Sequence, residues 1–447
     1  RPSAAKIVWE LKAAVRPTIQ VYIFSGYAVV CDTLGITDPY IKLTILRLLL
    51  SLLMFVSFTG MAFYYFKKQQ PIILYSVLFI LNLSWFFPYI KTLFSSEILS
   101  SLVFFGTIFL YDLRRKRDKD FLFLVVAGFL LTIAFYLRFQ FGFAIAGFGI
   151  WILLVERKYQ KIVPLSLGYL LGVGLNTWLD YNFYHQLVLT PYQYYHVNIT
   201  EGKAATFGTS SFVQYIGDLL GFITIPPLSI ILFILLIVAT FRNYKHPFVL
   251  PVLVFFIGHC LVAHKEDRFL FPIFPAIAIV LGLTLPRFIN YYTNSKKWLR
   301  YTLAAIIGFS VVLNLFLLVL LLFNPFAQTV YFETVLKKKY GQQPTTFYCL
   351  ERTPFQTESG LPMVFYQQTA PNLDMKKITN DSLTKINPSP HYVITTYNQV
   401  KKDKQLIDSL GYKPILFSSQ ALWRINEFLN AKGINTINDI WVLYEKE

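Results

Sequence analysis

The chain has 447 residues, 55% of them hydrophobic and only 15% charged, whereas a soluble domain carries about a quarter charged residues. Aromatic residues make up 18%, including 43 Phe and 29 Tyr, which suits helix ends at a bilayer interface. The formal charge of +17 would point a soluble protein toward nucleic acid; here the basic residues gather between apolar stretches, so membrane topology accounts for them and nucleic acid is not an expected partner.

In chain order, residues 1–42 form an amphipathic, aromatic segment that does not span a membrane. It opens at Arg1 without a Met or a signal-peptide pattern, and a further span upstream of Arg1 is expected. Ten apolar stretches then reach or approach the roughly 17–25 residues a crossing needs. They lie at 43–66, 72–90, 94–111, 121–137, 139–155, 162–180, 222–241, 247–263, 269–287 and 299–323. The pair at 121–155 is interrupted only by Arg138-Phe139-Gln140 and reads either as a tight hairpin or as one kinked element.

Alternate loops differ in charge. One set holds Lys67, Lys68, Arg114, Arg115, Lys116, Arg117, Lys119, Arg157, Lys158, Lys161, Arg242, Lys245, Lys296, Lys297 and Arg300, fifteen basic residues in all. The other holds five: Lys91, Arg138, Lys203, Lys265 and Arg268. The positive-inside rule puts the richer set in the cytoplasm and turns residues 1–42, the 181–221 loop, the 264–268 loop and the tail outward.

The tail, 324–447, differs in kind. Runs such as Thr346–Leu350, Tyr392–Thr396 and Ile440–Tyr444 read as strands between polar, helix-compatible stretches. The expected class is therefore an all-α polytopic membrane protein with a small C-terminal α/β extracytoplasmic domain. Its three segments are 1–42, 43–323 and 324–447.

The densest polar feature is His264-Lys265-Glu266-Asp267-Arg268, in an outward loop short enough to sit at the membrane surface. Ionisable residues are costly there and mark function. Lys265, Arg268 and His264 suit the phosphate charge that a lipid-phosphate sugar donor leaves behind. The three cysteines, Cys31, Cys260 and Cys349, lack metal or redox spacing, and no acidic metal pair is evident, so neither a metal nor a cofactor is expected.

The run HKEDRFLFPIFP at 264–275 resembles the HKE-x-RF-x-x-P-x-x-P signature of glycosyltransferase family 22, the membrane mannosyltransferases of lipid-linked oligosaccharide and glycosylphosphatidylinositol assembly. Trp9-Glu10 with Arg16-Pro17, Thr92–Glu97, Arg138 and Asp180–Tyr184 are similar to further stretches of that family. The resemblance implies a GT-C fold and an inverting, metal-independent transfer of mannose from a polyprenyl- or dolichyl-phosphate carrier to a glycan or glycolipid acceptor. It also implies substrate contacts at Trp9, Arg16, Glu97, Arg138, Asp180 and Tyr184. The family's general base belongs to an acidic stretch expected upstream of Arg1, with Glu10 and Glu266 as the carboxylates present here. Read without the family, Trp9 also fits an interface anchor, Arg138 a snorkelling cation and Asp180 a solvated helix end. A GT-C transferase of another sugar, or a lipid or sugar transporter, is the alternative. The expected site is a bacterial cytoplasmic membrane, or that of the endoplasmic reticulum in a eukaryote.

Overall fold

The computed structural model describes residues 9–116, 120–323, 329–356, 364–367, 369–379, 383, 386, 391–433 and 440–446. Arg117 and Lys119 of the basic loops lie outside the described residues. Two compact units emerge: one takes Ile7–Ile36 and Leu43–Val319, the other Thr37–Lys42 and Leu320–Glu447.

The larger unit is helical. After a helical turn at Trp9–Lys12 come α1 (Ile19–Thr33), α2 (Pro39–Phe66), α3 (Pro71–Leu83), α4 (Ser96–Arg114), α5 (Phe121–Leu137), α6 (Phe141–Ile150) and α7 (Ile162–Tyr184). They are followed by α8 (Gln214–Ile223), α9 (Leu228–Arg242), α10 (Val249–Leu261), α11 (Phe274–Asn294) and α12 (Lys297–Phe323). Apolar helices thus occupy all ten expected stretches. Among the described residues, five of them, at Pro39–Phe66, Ser96–Arg114, Tyr159–Tyr184, Asp267–Asn294 and Lys297–Phe323, are long and apolar enough to cross a membrane. The protein is an integral membrane protein. The segment around α11 is the packed centre, with 83% of its most apolar window buried, against 17% for α12. In a bilayer, a face left bare in that way is a lipid-facing face.

Two expected spans are shorter than the apolar runs that suggested them, each for a local reason. The 72–90 stretch stops at Leu83, where Ser84 turns extended (φ −59°, ψ 132°). Lipid supplies no water for the freed backbone groups, and Asn314 of α12 takes both: its Nδ2 donates to Leu83 O (2.7 Å) and its Oδ1 accepts from Trp85 N (2.9 Å). The 222–241 stretch begins late, because Thr224 is extended and Pro226-Pro227 precede α9. The ambiguous pair at 121–155 is two helices: Arg138 leaves the helical region (φ −152°, ψ 108°), after which α5 packs on α4 and α7 while α6 packs on α10.

Close approach of α5 and α7 depends on missing side chains. A Cβ at Gly128 would lie 1.9 Å from Leu165 O, and one at Gly168 would lie 1.8 Å from Val125 O. Small residues let membrane helices pack backbone to backbone, where dispersion replaces the hydrophobic effect. Gly168→Ala is expected to cost about 1–3 kcal/mol by overpacking and to lower the thermal unfolding midpoint in detergent. Gly174→Ala, whose Cβ meets nothing within 4 Å, is expected to leave that midpoint unchanged.

Among the described residues, the smaller unit carries a five-stranded sheet of order β2-β1-β3-β5-β4, built from β1 (Thr345–Leu350), β2 (Leu373–Ile378), β3 (Tyr392–Thr396), β4 (Tyr412–Phe417) and β5 (Trp441–Lys446). β1 runs parallel to β2 and β3, while β5 is antiparallel to β3 and β4. Its core gathers Leu350, Val393, Val400, Ile407, Tyr412 and Val442. The three strands read from sequence are the central ones. The two missed, LDMKKI and YKPILF, lie at the edges, where Lys and Pro are tolerated because one side of the ladder is unpaired.

Candidate active site

The polar residues of the larger unit converge at one end of the bundle. Glu97 lies in the first turn of α4, whose Ser95 cap accepts from Ile98 N (3.4 Å). Arg138 sits at the break between α5 and α6. Arg138 Nη2 lies 3.3 Å from Glu97 Oε1, and both residues are buried, with 6% and 3% of their surface exposed. Glu97 Oε1 is met by that charge but accepts no hydrogen bond among the described residues. Arg16 and Arg268 also lie within electrostatic reach of this carboxylate. Guanidiniums from three distant parts of the chain therefore act on one buried acid, Arg138 in direct contact and Arg16 and Arg268 through longer-range electrostatics.

Each guanidinium is held by local structure. Arg16 Nη2 donates to Glu10 Oε1 (2.6 Å), and Tyr184 OH donates to Arg16 O (2.6 Å). Asp180 fixes the chain just after Arg16: its Oδ1 accepts from Thr18 N (2.9 Å) and Thr18 Oγ1 (2.7 Å), and its Oδ2 accepts from Thr190 Oγ1 (2.7 Å). Arg138 and Arg268 both stand over the Phe269 ring, at 4.8 and 5.8 Å. Arg268 Nε donates to Glu266 Oε2 (2.5 Å), while His264 Nε2 lies 3.1 Å from Glu266 Oε1. Burial alone would push Glu266 up, but Arg268 and His264 hold its carboxyl below the usual range.

The 262–269 loop is pinned by α8. Tyr215 OH donates to Glu266 O and accepts from Glu266 N, both at 3.0 Å. Nothing around Tyr215 marks this role in the sequence; the signal is tertiary. Gln140 and Tyr194 were missed likewise: Gln140 Nε2 donates to Tyr194 OH (2.8 Å), and both line a small cavity with Arg16 and Arg138. An aromatic wall flanks the cations, with Trp9 stacked on Phe207 (6.2 Å), Phe207 against His264 (6.1 Å) and His264 against Phe269 (6.0 Å).

The expected site residues divide by geometry. Trp9, Glu10, Arg16, Glu97, Arg138, His264, Glu266 and Arg268 come together. Asp180 and Tyr184 lie beneath them and spend their hydrogen bonds on the backbone or hydroxyl groups of Arg16, Thr18 and Thr190. Lys265 is buried, its Nζ donating to Val262 O (2.5 Å) and standing 5.6 Å over the Tyr215 ring, so its ammonium is engaged within its own loop rather than gathered with the arginines.

Residues 4–338 match the family model of the Alg9-like mannosyltransferases. The chain belongs to the Alg9-like mannosyltransferase family. Curated relatives include "GPI mannosyltransferase 3" of Candida albicans, 33% identical over 130 residues, covering 29% of this chain and 25% of that protein. The protein of the same name from Yarrowia lipolytica is 23% identical over 308 residues, covering 67% of this chain and 57% of its own length. The match thus spans a quarter to somewhat over half of those relatives. Among solved structures, ArnT from Cupriavidus metallidurans bound to undecaprenyl phosphate aligns over 96% of this chain and 88% of that one, with a TM-score of 0.52 at 13% identity. That likeness establishes the fold: the GT-C bundle and the family expected from HKEDRF are both borne out. Within this Alg9-like chain, the signature at 264–269 is the strand of loop that carries Arg268 and Phe269 to Arg138.

Proposed function

We propose that this Alg9-like chain transfers mannose, with inversion, from a lipid-phosphate carrier to a glycolipid or lipid-linked glycan on the outer face of its membrane. The convergence of Arg16, Arg138 and Arg268 on Glu97 carries this reading. Transfer breaks the bond between the sugar's anomeric carbon and the phosphate oxygen, and the charge grows on that phosphate. Preorganised cations aimed at a developing charge in a water-poor site are usually the largest catalytic term. Guanidiniums suit phosphate because they present paired N–H groups.

In this scheme Glu97 orients Arg138 through their buried ion pair. On this reading Glu10 and Glu266 position cations, a role supported by the ion pair each makes with a guanidinium. The wall of Trp9, Phe207 and His264 offers an apolar face to a sugar ring. The likeness to a protein solved with undecaprenyl phosphate supports a lipid-phosphate donor, and the yeast relatives' name supports a glycolipid acceptor. The test is mass analysis of products formed from polyprenyl-phosphate mannose and candidate glycolipids. One added hexose is expected, and formation is expected to continue in EDTA because the arginines neutralise the phosphate. No product with any mannosyl glycolipid acceptor, or an absolute Mn²⁺ requirement, overturns the reading.

Orientation is part of the proposal. A cysteine placed at Thr209 is expected to react with an impermeant maleimide from outside in sealed cells, and one at Gln160 only after permeabilisation. The reverse pattern inverts the topology.

A further inference from the structure

The far end of the bundle carries a second polar cavity, of about 440 Å³, that the transfer scheme does not use. It lies where α4, α6 and the chain before α10 end, so the 19-residue α4 separates it from Glu97 by roughly 28 Å at 1.5 Å per residue. Four cations, Arg115, Lys116, Lys158 and Lys245, line it with Glu156 and Trp151.

Local structure builds this cavity. α6 does not end as an α-helix: Trp151–Glu156 form a π-helical turn, closed by Arg157 in the left-handed region (φ 59°). Such turns are rare and concentrate at functional sites. Here the turn presents Trp151, Val155 and Glu156 to the cavity. Glu156 brings little uncompensated charge, because its Oε1 lies 2.9 Å from Lys161 Nζ and its Oε2 accepts from Tyr111 OH. Lys161 also donates to Arg115 O (2.6 Å), and Arg115 Nε lies 3.3 Å from Asp112 Oδ1. The frame is therefore tied down by its own ion pairs, while Trp151 Nε1 donates to Lys245 O (3.2 Å) and fixes the floor. Leu154, next to the lining Val155, and Tyr159, next to the lining Lys158, are exposed, so exposed apolar side chains adjoin the cationic hollow.

We infer that this cavity binds the phosphate headgroup of an anionic phospholipid from the inner leaflet on the proposed orientation. A cationic hollow explains the headgroup, and the exposed apolar rim explains why the ligand is a lipid rather than a free anion. Basic pockets between membrane helices on that side take anionic headgroups, at an electrostatic gain per cation. The positive-inside rule asks only for basic residues in these loops; it does not ask that they line one hollow with a buried Trp and a π-turn.

The test uses the full chain in nanodiscs of phosphatidylcholine with phosphatidylglycerol, with co-isolated lipid counted by native mass spectrometry. Phosphatidylglycerol is expected to be enriched over the input mixture, and K116Q/K245Q is expected to lower that enrichment on the order of tenfold. Both lysines are exposed, and an unchanged melting temperature in pure phosphatidylcholine would certify that the double variant is folded. If it unfolds instead, K245Q alone is read in its place. Equal enrichment in wild type and variant overturns the inference. Displacement of the lipid by millimolar inorganic phosphate also overturns it, assigning the hollow to a soluble anion.

Discussion

Arg138→Ala is expected to lower turnover by on the order of 100-fold or more, the loss typical of removing one preorganised group from a developing charge. It has a second effect that has to be separated from the first. Arg138 is the near partner of Glu97, at 3.3 Å with both groups buried. Removing one member of a buried ion pair leaves an uncompensated charge, at about 3–5 kcal/mol. The single variant is therefore expected to be both slow and less stable. Glu97→Gln with Arg138→Gln removes both charges and is expected to recover most of the stability, because a neutral buried pair loses less than a lone charge. Turnover of the double variant is expected to stay low, since the phosphate has still lost its cation. Melting in detergent and initial rate on the lipid donor, measured on the same preparations, check both halves. Recovery of rate together with stability would make Arg138 a structural residue and remove the centre of the proposed site.

Asp180→Ala is expected to produce the largest loss of stability. One carboxylate, 1% exposed, accepts three hydrogen bonds, from Thr18 N, Thr18 Oγ1 and Thr190 Oγ1. Hydrogen bonds to a charged group contribute about 1.5–3 kcal/mol each, and a buried donor left without a partner costs its desolvation. The backbone N–H of Thr18 has no substitute in the variant. Because Thr18 starts α1 two residues after Arg16, the loss also releases the segment that presents Arg16. Asp180→Asn keeps the shape and one acceptor oxygen and is expected to fall between wild type and Ala. The readout is the thermal midpoint in detergent, followed by the rate at a temperature where each variant is folded. A wild-type midpoint for Asp180→Ala would show that the Thr18 and Thr190 bonds contribute nothing measurable.

Much of the architecture was legible in the residues alone. A bilayer forces every spanning segment to satisfy its own backbone, so spans must be long apolar helices, and the approximate places of the apolar helices followed from composition along the chain, although among the described residues only five of them are long and apolar enough to cross. The HKEDRF run carried the family, because a loop that dense in ionisable residues and followed by spaced prolines is specific. The central strands β1, β3 and β5 were visible because their β-branched, aromatic and aliphatic residues are largely buried, β3 and β5 on both faces; β2 and β4 were not, because edge strands carry charge and Pro without penalty.

Other features came only from tertiary structure. The breaks at Ser84 and before α9 lie inside apolar runs, and no run of hydropathy reveals that Asn314, 230 positions after Ser84, supplies the lost backbone partners. The sequence nominated Lys265 and Arg268 together because they are neighbours, yet the fold turns Lys265 onto Val262 O and Tyr215 and gathers Arg268 with Arg16 and Arg138. Asp180 looked like a substrate contact and instead holds the start of α1. The reason is the same in each case. Sequence spacing predicts which residues share a loop or a helix face, whereas a charge cluster in a helical bundle is assembled from the ends of helices that meet only after the membrane spans have packed.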